Sequence, residues 1–324
     1  MSSLGWDEWY RDQLAKSEFF HARLHDWHLL ETAREIEAVK GEDLSWNLSE
    51  LGISDGAWAK VIHRGIRPVR LFAHPAVLVS IARSPGYYRM LSMVSQKSMG
   101  HVKVASGEFA AYEIGTKSLS TAQAAIVAKH LNGIISLLVE ADKFVDEREL
   151  DIWRGMAAGT QAQGSWQNIK GQKAEAAIKD MLRLRMRERG LIARETATNP
   201  PLAMRIELSD GRTVIYGSEP DIAVYAPQDP TRSGGIIAGV LEVKGGIDTA
   251  AVHERHGATL KSLVRAKEVN GNCVTVLILP RVSLTASVRD ELAASHDIVN
   301  HWFTTDDVLG DEKARERLFR LLDL

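Results

Sequence analysis

The chain has 324 residues, of which 45% are hydrophobic and 25% are charged, and this composition excludes wholesale disorder and collagen-like or low-complexity architectures. Its 40 Lys and Arg nearly balance 42 Asp and Glu, so the formal charge of −2 argues against a non-specific DNA-coating protein, although one basic cleft would remain compatible with nucleic acid. A single cysteine, Cys273, excludes a disulfide framework and a cysteine-rich zinc site, and it fits a reducing compartment.

The N-terminal sequence predicts no targeting segment. Residues 1–16 are polar and charged and lack the apolar stretch of a signal peptide. No part of the chain approaches the roughly 18 uninterrupted apolar residues that a membrane span needs. We therefore expect a soluble, cytoplasmic protein without a membrane partner.

Residues 1–160 predict a mostly helical N-terminal region. Residues 55–115 are expected to be less regular, because they contain several Pro and Gly. Three longer helices are expected from apolar residues at helical spacing: Asp7 to Val39, Thr121 to Asp142 with Ser120 as its N-cap, and Asp146 to Ala158, ending near Gly159. We assign this region to DNA recognition, to dimerisation or to both.

Residues 161–324 predict an α/β core. The expected elements are helix Asn168 to Arg189, strands Ala203 to Leu208, Thr213 to Tyr216 continuing into Ile222 to Tyr225, and Ile236 to Val243, helix Thr249 to Glu268, and strand Cys273 to Leu279. Asp210-Gly211 is a strong hairpin signal between the first two strands. A helical crossover should make the last strand parallel to its predecessor, so we expect a mixed sheet.

Polar residues interrupt the most apolar part of this core. In the run Gly239 to Gly246, Glu242 and Lys244 stand two residues apart near the end of a buried strand and therefore point to the same face. Burying such a pair is costly unless other groups satisfy it. In the preceding strand, Pro220 marks a bend or an edge, and Asp221 after it is positioned to reach the same end of the sheet.

These three side chains predict a site for phosphodiester hydrolysis. Two converging carboxylates, Asp221 and Glu242, form a hard-oxygen site suited to Mg²⁺, which binds phosphate oxygens and activates water. Lys244 is placed to orient or deprotonate the attacking water, or to stabilise the developing charge. The alternative is a surface ion pair between Glu242 and Lys244, which would contribute little.

The pattern resembles the PD-(D/E)xK nuclease superfamily and, within it, the XcyI-type family of type II restriction endonucleases. The resemblance rests on Ser218 to Ile222, Leu241 to Asp248, His253, Arg255, Gly257, Lys261 and Ser262, and more loosely on Pro85 to Arg89, Ser95 to Lys97 and the helix start Asn168 to Glu175. It implies a restriction-endonuclease-like mixed-sheet core with Asp221, Glu242 and Lys244 as the catalytic set. It also implies a Mg²⁺-dependent homodimer that cuts double-stranded DNA at a short, GC-rich palindrome and is paired with a DNA methyltransferase.

Glu175 is a fourth candidate catalytic residue. The resemblance implies an acidic residue at this place in the first core helix, for a metal-bound water or a second ion. The alternative is a solvent-facing glutamate that forms an i,i+4 ion pair with Lys179.

Two groups of residues are candidates for DNA contact. On the helix after the catalytic strand, His253, Arg255 and Lys261 are placed to reach phosphates or base edges, although a solvated amphipathic helix would carry the same residues. In the N-terminal region the candidates are Arg89, Gln96 and Lys97, because Arg and Gln side chains can recognise guanine and adenine edges in the major groove. The competing interpretation of that cluster is that the adjacent tyrosines, Tyr87 and Tyr88, pack the helical domain against the core.

Two other functions stay open on the sequence alone. A structure-specific repair or recombination nuclease could use the same core, and it need not show any sequence dependence. A catalytically idle DNA-binding module would carry a degraded site, which the intact Asp221, Glu242 and Lys244 set disfavours.

Overall fold

The computed structural model describes residues 3–102, 109–198, 203–227, 235–245 and 251–324, with the side chains of residues 3–9, 198, 203 and 251–259 left aside. The chain divides into two units, Met1–Ser165 and Trp166–Leu324. The first unit is helical in its described residues, whereas the second contains the sheet.

The first unit is built from helices, one of which is long and strongly apolar. They are α1 (Ser3–Asp26), α2 (Leu29–Ala38), α3 (Leu48–Leu51), α4 (Asp55–His63), α5 (Pro68–Leu71), α6 (Pro75–Ser80), α7 (Ser84–Leu91), α8 (Phe109–Glu113), α9 (Thr121–Ala141) and the first part of α10 (Glu147–Glu188), with 3₁₀ turns at Gly41–Asp43 and Lys97–His101. The Ser120 N-cap of α9 is confirmed as a capping box, in which the Ser120 hydroxyl accepts from the Gln123 backbone N–H and the Gln123 side chain accepts from the Ser120 N–H.

Helix α9 is the centre of the core in this unit. Among the described residues it is the one helix long and apolar enough to cross a membrane. Its Val127, Leu131 and Ile135 are fully buried against the surrounding helices. The apolar character of α9 is thus explained by packing inside the first unit.

Two helix boundaries differ from those expected. The predicted helix from Asp7 to Val39 is interrupted, because His28 adopts a left-handed conformation with φ of 51° between α1 and α2. The predicted end near Gly159 is wrong, since α10 runs from Glu147 to Glu188 without a break and includes Gly159 and Gly164. Neither glycine has a positive φ, so neither acts as a C-cap.

We expect Gly159→Ala to stabilise the protein by up to about 1 kcal/mol, because alanine is the better helix former. An added Cβ at this position meets no atom within 4 Å. Urea unfolding monitored by circular dichroism would measure the change. A helix that ended at Gly159 with a left-handed glycine would give the opposite sign, because alanine is strained in that conformation.

The second unit contains a seven-stranded mixed sheet, in agreement with the α/β prediction. The strands are β1 (Ile192–Thr198), β2 (Ala203–Leu208), β3 (Thr213–Tyr216), β4 (Ile222–Tyr225), β5 (Ile237–Val243), β6 (Val274–Leu279) and β7 (His301–Thr304), and they lie in the sheet in this same order. Strands β1 to β5 are antiparallel, while the β5–β6 and β6–β7 pairs are parallel. The expected parallel crossover between β5 and β6 is therefore confirmed.

The stretch expected as one continuing strand from Thr213 to Tyr225 is two antiparallel strands. Tyr216 pairs with Ile222, and the Gly217 N–H donates to the Asp221 carbonyl oxygen at 3.0 Å, which closes the turn between β3 and β4. This reversal places Asp221 at the start of β4, beside the end of β5.

Helices cover both faces of the sheet in the second unit. The later part of α10 and helix α14 (Glu312–Leu322) pack on one face through Leu182 and Phe319. Helices α11 (Ala251–Val269) and α12 (Ala286–Ala294) pack on the other face through Leu263 and Leu292. The remaining elements are α13 (Thr305–Gly310) and a 3₁₀ turn at Arg281–Ser283. Because β5 is buried on both faces, any charged group at its end needs partners.

Candidate active site

The structure brings Asp221 and Glu242 to the same end of two neighbouring strands. Ile222 of β4 pairs with Leu241 of β5. Asp221, which precedes Ile222, and Glu242, which follows Leu241, therefore lie side by side at this end of the two strands. Asp221 is 6% exposed and Glu242 is 3% exposed. Burying two carboxylates costs free energy unless hydrogen-bond donors satisfy them. Both side chains have such donors.

Each carboxylate is held by hydrogen bonds from neighbouring groups. The Val243 backbone N–H donates to Asp221 Oδ2 at 2.7 Å. Lys244 Nζ donates to Glu242 Oε1 at 2.5 Å, and Ser262 Oγ donates to Glu242 Oε2 at 2.9 Å. The Lys244 backbone N–H bonds to the Ile278 carbonyl oxygen at 2.8 Å, which continues the parallel pairing of β5 with β6 past the end of β5. Donors from a strand and a helix thus fix the two acids.

The environment raises the pKa of Asp221 from its ordinary 3.8 to about 7. Burial is the largest cause, and the negative charge of Glu242 is the next. The Val243 N–H lowers the pKa, the Glu175 charge raises it, and the Lys244 ammonium lowers it. The two acids therefore repel each other in the metal-free protein, which is the electrostatic state that a bound cation relieves.

Glu175 lies on α10, within electrostatic reach of Asp221. It also forms the i,i+4 ion pair with Lys179 that was the alternative interpretation of this residue. Lys179 Nζ donates further to the Gly217 carbonyl oxygen at 3.0 Å, and its own carbonyl oxygen accepts from the Tyr216 hydroxyl at 2.9 Å. Lys179 thereby joins the helix that carries Glu175 to the turn that precedes Asp221.

Gly245 allows the end of β5 to approach α10 closely. A Cβ at this position would lie 2.7 Å from the Ala174 Cβ and 2.8 Å from the Gly171 Cα, both shorter than real contacts. Only a residue without a side chain fits here. The contact brings the chain after Glu242 and Lys244 against the helical turn that contains Glu175.

The oxygen ligands that this site offers fit Mg²⁺. Asp221 and Glu242 offer hard carboxylate oxygens, and Mg²⁺ is usually held by one or two carboxylates together with waters and phosphate oxygens. In the part of the chain that the structure describes, no third His, Cys, Asp or Glu completes an all-protein metal cluster. The two carboxylates suit an ion that keeps open positions for water and substrate.

The candidate DNA contacts of the second unit are only partly visible. Lys261 is exposed on α11. The side chains of His253 and Arg255, on the same helix, lie outside the described residues. The basic stretch of α10 is largely neutralised within the unit, because Arg183 and Arg187 pair with Glu195 and Arg185 pairs with Glu316.

The structure gives Arg89 a structural role. Its side chain is 2% exposed and forms an ion pair with Glu113. Its other donors bond to the Val94 carbonyl oxygen at 2.7 Å and to Gln161 Oε1 at 2.5 Å. A guanidinium whose donors all point inward does not reach a phosphate or a base edge, so the expected DNA contact of Arg89 does not fit this arrangement.

Gln96 and Lys97 differ from Arg89 in exposure. Lys97 is exposed and Gln96 is half-buried, with its Nε2 donating to Glu113 Oε2 at 2.6 Å. The adjacent tyrosines are buried, and their hydroxyls donate to backbone oxygens of Arg70 and Val69 at 2.9 and 2.7 Å. Both tyrosines therefore pack in the core of the helical unit itself.

Sequence reasoning did not assign a role to Ser262 or Lys179. From the sequence, Lys179 was predicted only as an ion-pair partner of Glu175, and Ser262 was only one of the residues that carry the family resemblance. Ser262 is twenty positions after Glu242, and its contact depends on how α11 packs on β5, which hydrophobic periodicity does not specify.

Comparison with known proteins places the chain in a family. A family model described as XcyI restriction endonuclease matches residues 29–293. The type II restriction enzyme XcyI of Xanthomonas campestris pv. cyanopsidis is 27% identical over 271 residues, which is 79% of this chain and 76% of that protein. The type II restriction enzyme Cfr9I of Citrobacter freundii is 24% identical over 279 residues, which is 81% of this chain and 78% of that protein. The predicted family and the predicted enzyme class are confirmed at this level: the chain belongs to the XcyI restriction endonuclease family.

Proposed function

We propose that this protein is a Mg²⁺-dependent type II restriction endonuclease with a PD-(D/E)xK core. In this proposal it hydrolyses phosphodiester bonds of double-stranded DNA at a short, GC-rich palindrome. The observation that carries the proposal is the buried pair Asp221 and Glu242, with the Lys244 ammonium 2.5 Å from Glu242. Pro220-Asp221 and Glu242-Val243-Lys244 supply the residues of the PD-(D/E)xK pattern. The names of both relatives, as type II restriction enzymes, support site-specific cleavage.

Asp221 and Glu242 are the residues that would hold Mg²⁺. When bound, the ion lowers the pKa of a coordinated water and neutralises negative charge at the phosphate. Asp221 is oriented by the Val243 N–H, and Glu242 by Lys244 and Ser262. These bonds fix the acids before substrate arrives, so little reorganisation is needed at the moment of reaction.

Lys244 is proposed to act on the attacking water. Its side chain is 30% exposed, so the ammonium reaches solvent while it stays bonded to Glu242. A water oxygen forms a bond to phosphorus, the bond from phosphorus to one sugar oxygen breaks, and the water's proton passes to solvent or to that leaving oxygen. Lys244 orients the water and stabilises negative charge on the phosphate.

Glu175 is proposed as an auxiliary acid of the site. Its charge raises the pKa of Asp221, which places it in the same electrostatic environment. The ion pair with Lys179, on the same helix, holds the Glu175 side chain along α10. In this role Glu175 orients a water near the acids, in addition to forming the ion pair.

The proposed assembly is a homodimer on DNA. A palindromic site presents the same sequence on both strands, so a two-fold dimer places one active site at each strand. We assign residues 161–324 to the nuclease core and residues 1–160 to DNA recognition, dimerisation or both. A restriction function also implies a paired DNA methyltransferase and a cytoplasmic location.

The test of the function is cleavage of a plasmid of known sequence. Purified protein is incubated with the plasmid and Mg²⁺, and the product ends are sequenced. A discrete set of fragments with one shared end sequence supports a restriction endonuclease. A smear, or loss from free ends, would instead indicate a structure-specific repair or recombination nuclease. No cleavage with Mg²⁺ or Mn²⁺ would indicate an idle DNA-binding module.

Gln96→Ala is expected to weaken binding to the specific site by about 1–3 kcal/mol, with little change on random duplex, if its amide contacts a base edge. Gel-shift titrations with Ca²⁺ in place of Mg²⁺ would compare the two affinities.

Lys97→Ala is the matched control, since an exposed lysine that contacts phosphate weakens both affinities alike and lowers the salt dependence. Equal losses on both duplexes for Gln96→Ala would reject a base contact and leave Gln96 as a partner of Glu113.

A further inference from the structure

The Glu242 carboxylate is held by one donor on each oxygen. Its side chain is 4% exposed, so water can supply few of the hydrogen bonds that the carboxylate needs. Lys244 lies two residues further on, just past the end of β5, and it bonds to Oε1. Ser262 comes from α11 and bonds to Oε2 at 2.9 Å. A carboxylate oxygen has two lone pairs, so each oxygen can accept one of these bonds and still bind a cation.

The position of Ser262 is set by the packing of α11 on the sheet. Leu260, Leu263 and Ala266 of this helix are buried against the face of the sheet formed in part by Val240 and Leu277. Ser262 lies between the first two of these residues and is half-buried. The packing of α11 on the sheet therefore holds the Ser262 hydroxyl next to Glu242.

The two donors hold Glu242 in different ways. Lys244 has a long side chain that is 30% exposed, and its ammonium can turn toward water or substrate. Ser262 has one side-chain torsion that carries its hydroxyl and a short reach, so its bond to Oε2 restrains the position of that oxygen closely. When the Lys244 ammonium turns away from Glu242, the Ser262 hydroxyl remains as a donor to this carboxylate.

We propose that Ser262 is a positioning residue, which orients the Glu242 carboxylate toward a divalent cation. The inference rests on the proposed function. Partners that hydrogen-bond a metal ligand without touching the metal typically change metal affinity or activity by about 10- to 100-fold when they are removed. Ser262 therefore sets how tightly the site holds its metal ion, while the chemistry stays with Asp221, Glu242 and Lys244.

The test compares Ser262→Ala and Ser262→Thr with the wild-type protein. Ser287→Ala is the matched control, because Ser287 is an exposed serine on another helix of the same unit. Binding of Ca²⁺ is measured by calorimetry without DNA, together with the thermal midpoint in EDTA. Single-turnover cleavage is then measured over a range of Mg²⁺ concentrations. This gives the Mg²⁺ concentration at half-maximal rate separately from the rate at saturating Mg²⁺.

For Ser262→Ala we expect the Ca²⁺ dissociation constant and the half-saturating Mg²⁺ concentration to rise by about tenfold or more. The rate at saturating Mg²⁺ should fall much less. Ser262→Thr keeps the hydroxyl and should stay within about threefold of wild type, and Ser287→Ala should match wild type. A purely structural role would lower the thermal midpoint without a selective change in metal affinity.

Ca²⁺ affinity of Ser262→Ala within about twofold of wild type would overturn the inference, and so would an equal loss in Ser287→Ala. Glu242→Ala is run beside these variants to separate this inference from the proposed function. If wild type cleaves DNA, Glu242→Ala does not, and Ser262→Ala behaves as wild type, the positioning role alone fails. If Ca²⁺ binding depends on Ser262 but neither the wild type nor any variant cleaves DNA, the positioning role stands and the proposed function fails.

Discussion

Glu242→Gln is expected to reduce single-turnover cleavage of DNA by about a thousandfold or more, because it removes the charge of one of the two proposed metal ligands. The fold should persist. Glutamine has the shape of glutamate and keeps a carbonyl oxygen that can accept from Lys244 or Ser262. Cleavage at saturating Mg²⁺, with circular dichroism as a check on folding, measures the effect. Glu207→Gln is the matched control, since Glu207 is a strand glutamate of the same unit, 41% exposed and paired with Arg205.

Lys244→Ala belongs to the same experiment and should lower the rate by roughly a hundredfold or more if the ammonium assists the attacking water. It also leaves two carboxylates without their nearest cation, so DNA binding without metal should weaken. Near-normal cleavage by either Glu242→Gln or Lys244→Ala would show that this pair is not the catalytic centre.

Asp221→Asn is expected to stabilise the metal-free protein at neutral and alkaline pH. The pKa of Asp221 is about 7 in the folded protein and 3.8 in the ordinary state, so the folded protein binds the proton more tightly than the unfolded chain does. Ionisation of Asp221 therefore destabilises the fold progressively between those two pH values. Asparagine removes this cost, which by linkage is about 2–4 kcal/mol above pH 7. Its side-chain oxygen still accepts from the Val243 N–H.

Urea unfolding in EDTA at several pH values would measure this effect. The stability of Asp221→Asn relative to wild type should rise as the pH rises from about 4 to about 7, and it should then level off. Asp210→Asn is a control of opposite sign, because the hydrogen bond from Arg212 lowers the pKa of Asp210. Removing that carboxylate should cost stability at neutral pH, and the cost should shrink as the pH falls. A pH-independent effect of Asp221→Asn would contradict the electrostatic account of the site.

The central strands and their acids were predictable because a buried strand restricts which residues it tolerates. Glu242 and Lys244 interrupt an otherwise apolar run, and only a site or an ion pair explains such an interruption. The parallel pairing of β5 with β6 followed from the intervening helix. Local patterns were sufficient for these features because each one lies within a short segment.

Strands β1 and β7 were not predicted, for reasons of length and composition. β7 has only four residues, His301–Thr304, and β1 lies at the edge of the sheet, where polar residues are tolerated. The helix break at His28 depends on a single left-handed residue, which hydrophobic spacing does not indicate. Such features depend on neighbours that are distant in sequence.

Arg89 shows the same limit for site residues. An arginine beside tyrosines is compatible with DNA contact or with burial, and the choice depends on Glu113, 24 positions away. Ser262 likewise gains its contact with Glu242 through the fold of α11 onto the sheet. Residue type and spacing identify which chemistry is possible, whereas tertiary packing determines which side chains meet.

The strictly sequential order of the strands has a consequence for how the acids come together during folding. Each strand lies beside its neighbours in the chain, so no strand must enter between two others that are already paired. Contacts of short sequence separation form at a lower cost in chain entropy than distant ones. Asp221 and Glu242 belong to one antiparallel strand pair, whereas Ser262 follows on the crossover helix. Chain entropy therefore favours an order of assembly in which the two carboxylates approach each other first and the serine hydroxyl reaches them afterwards.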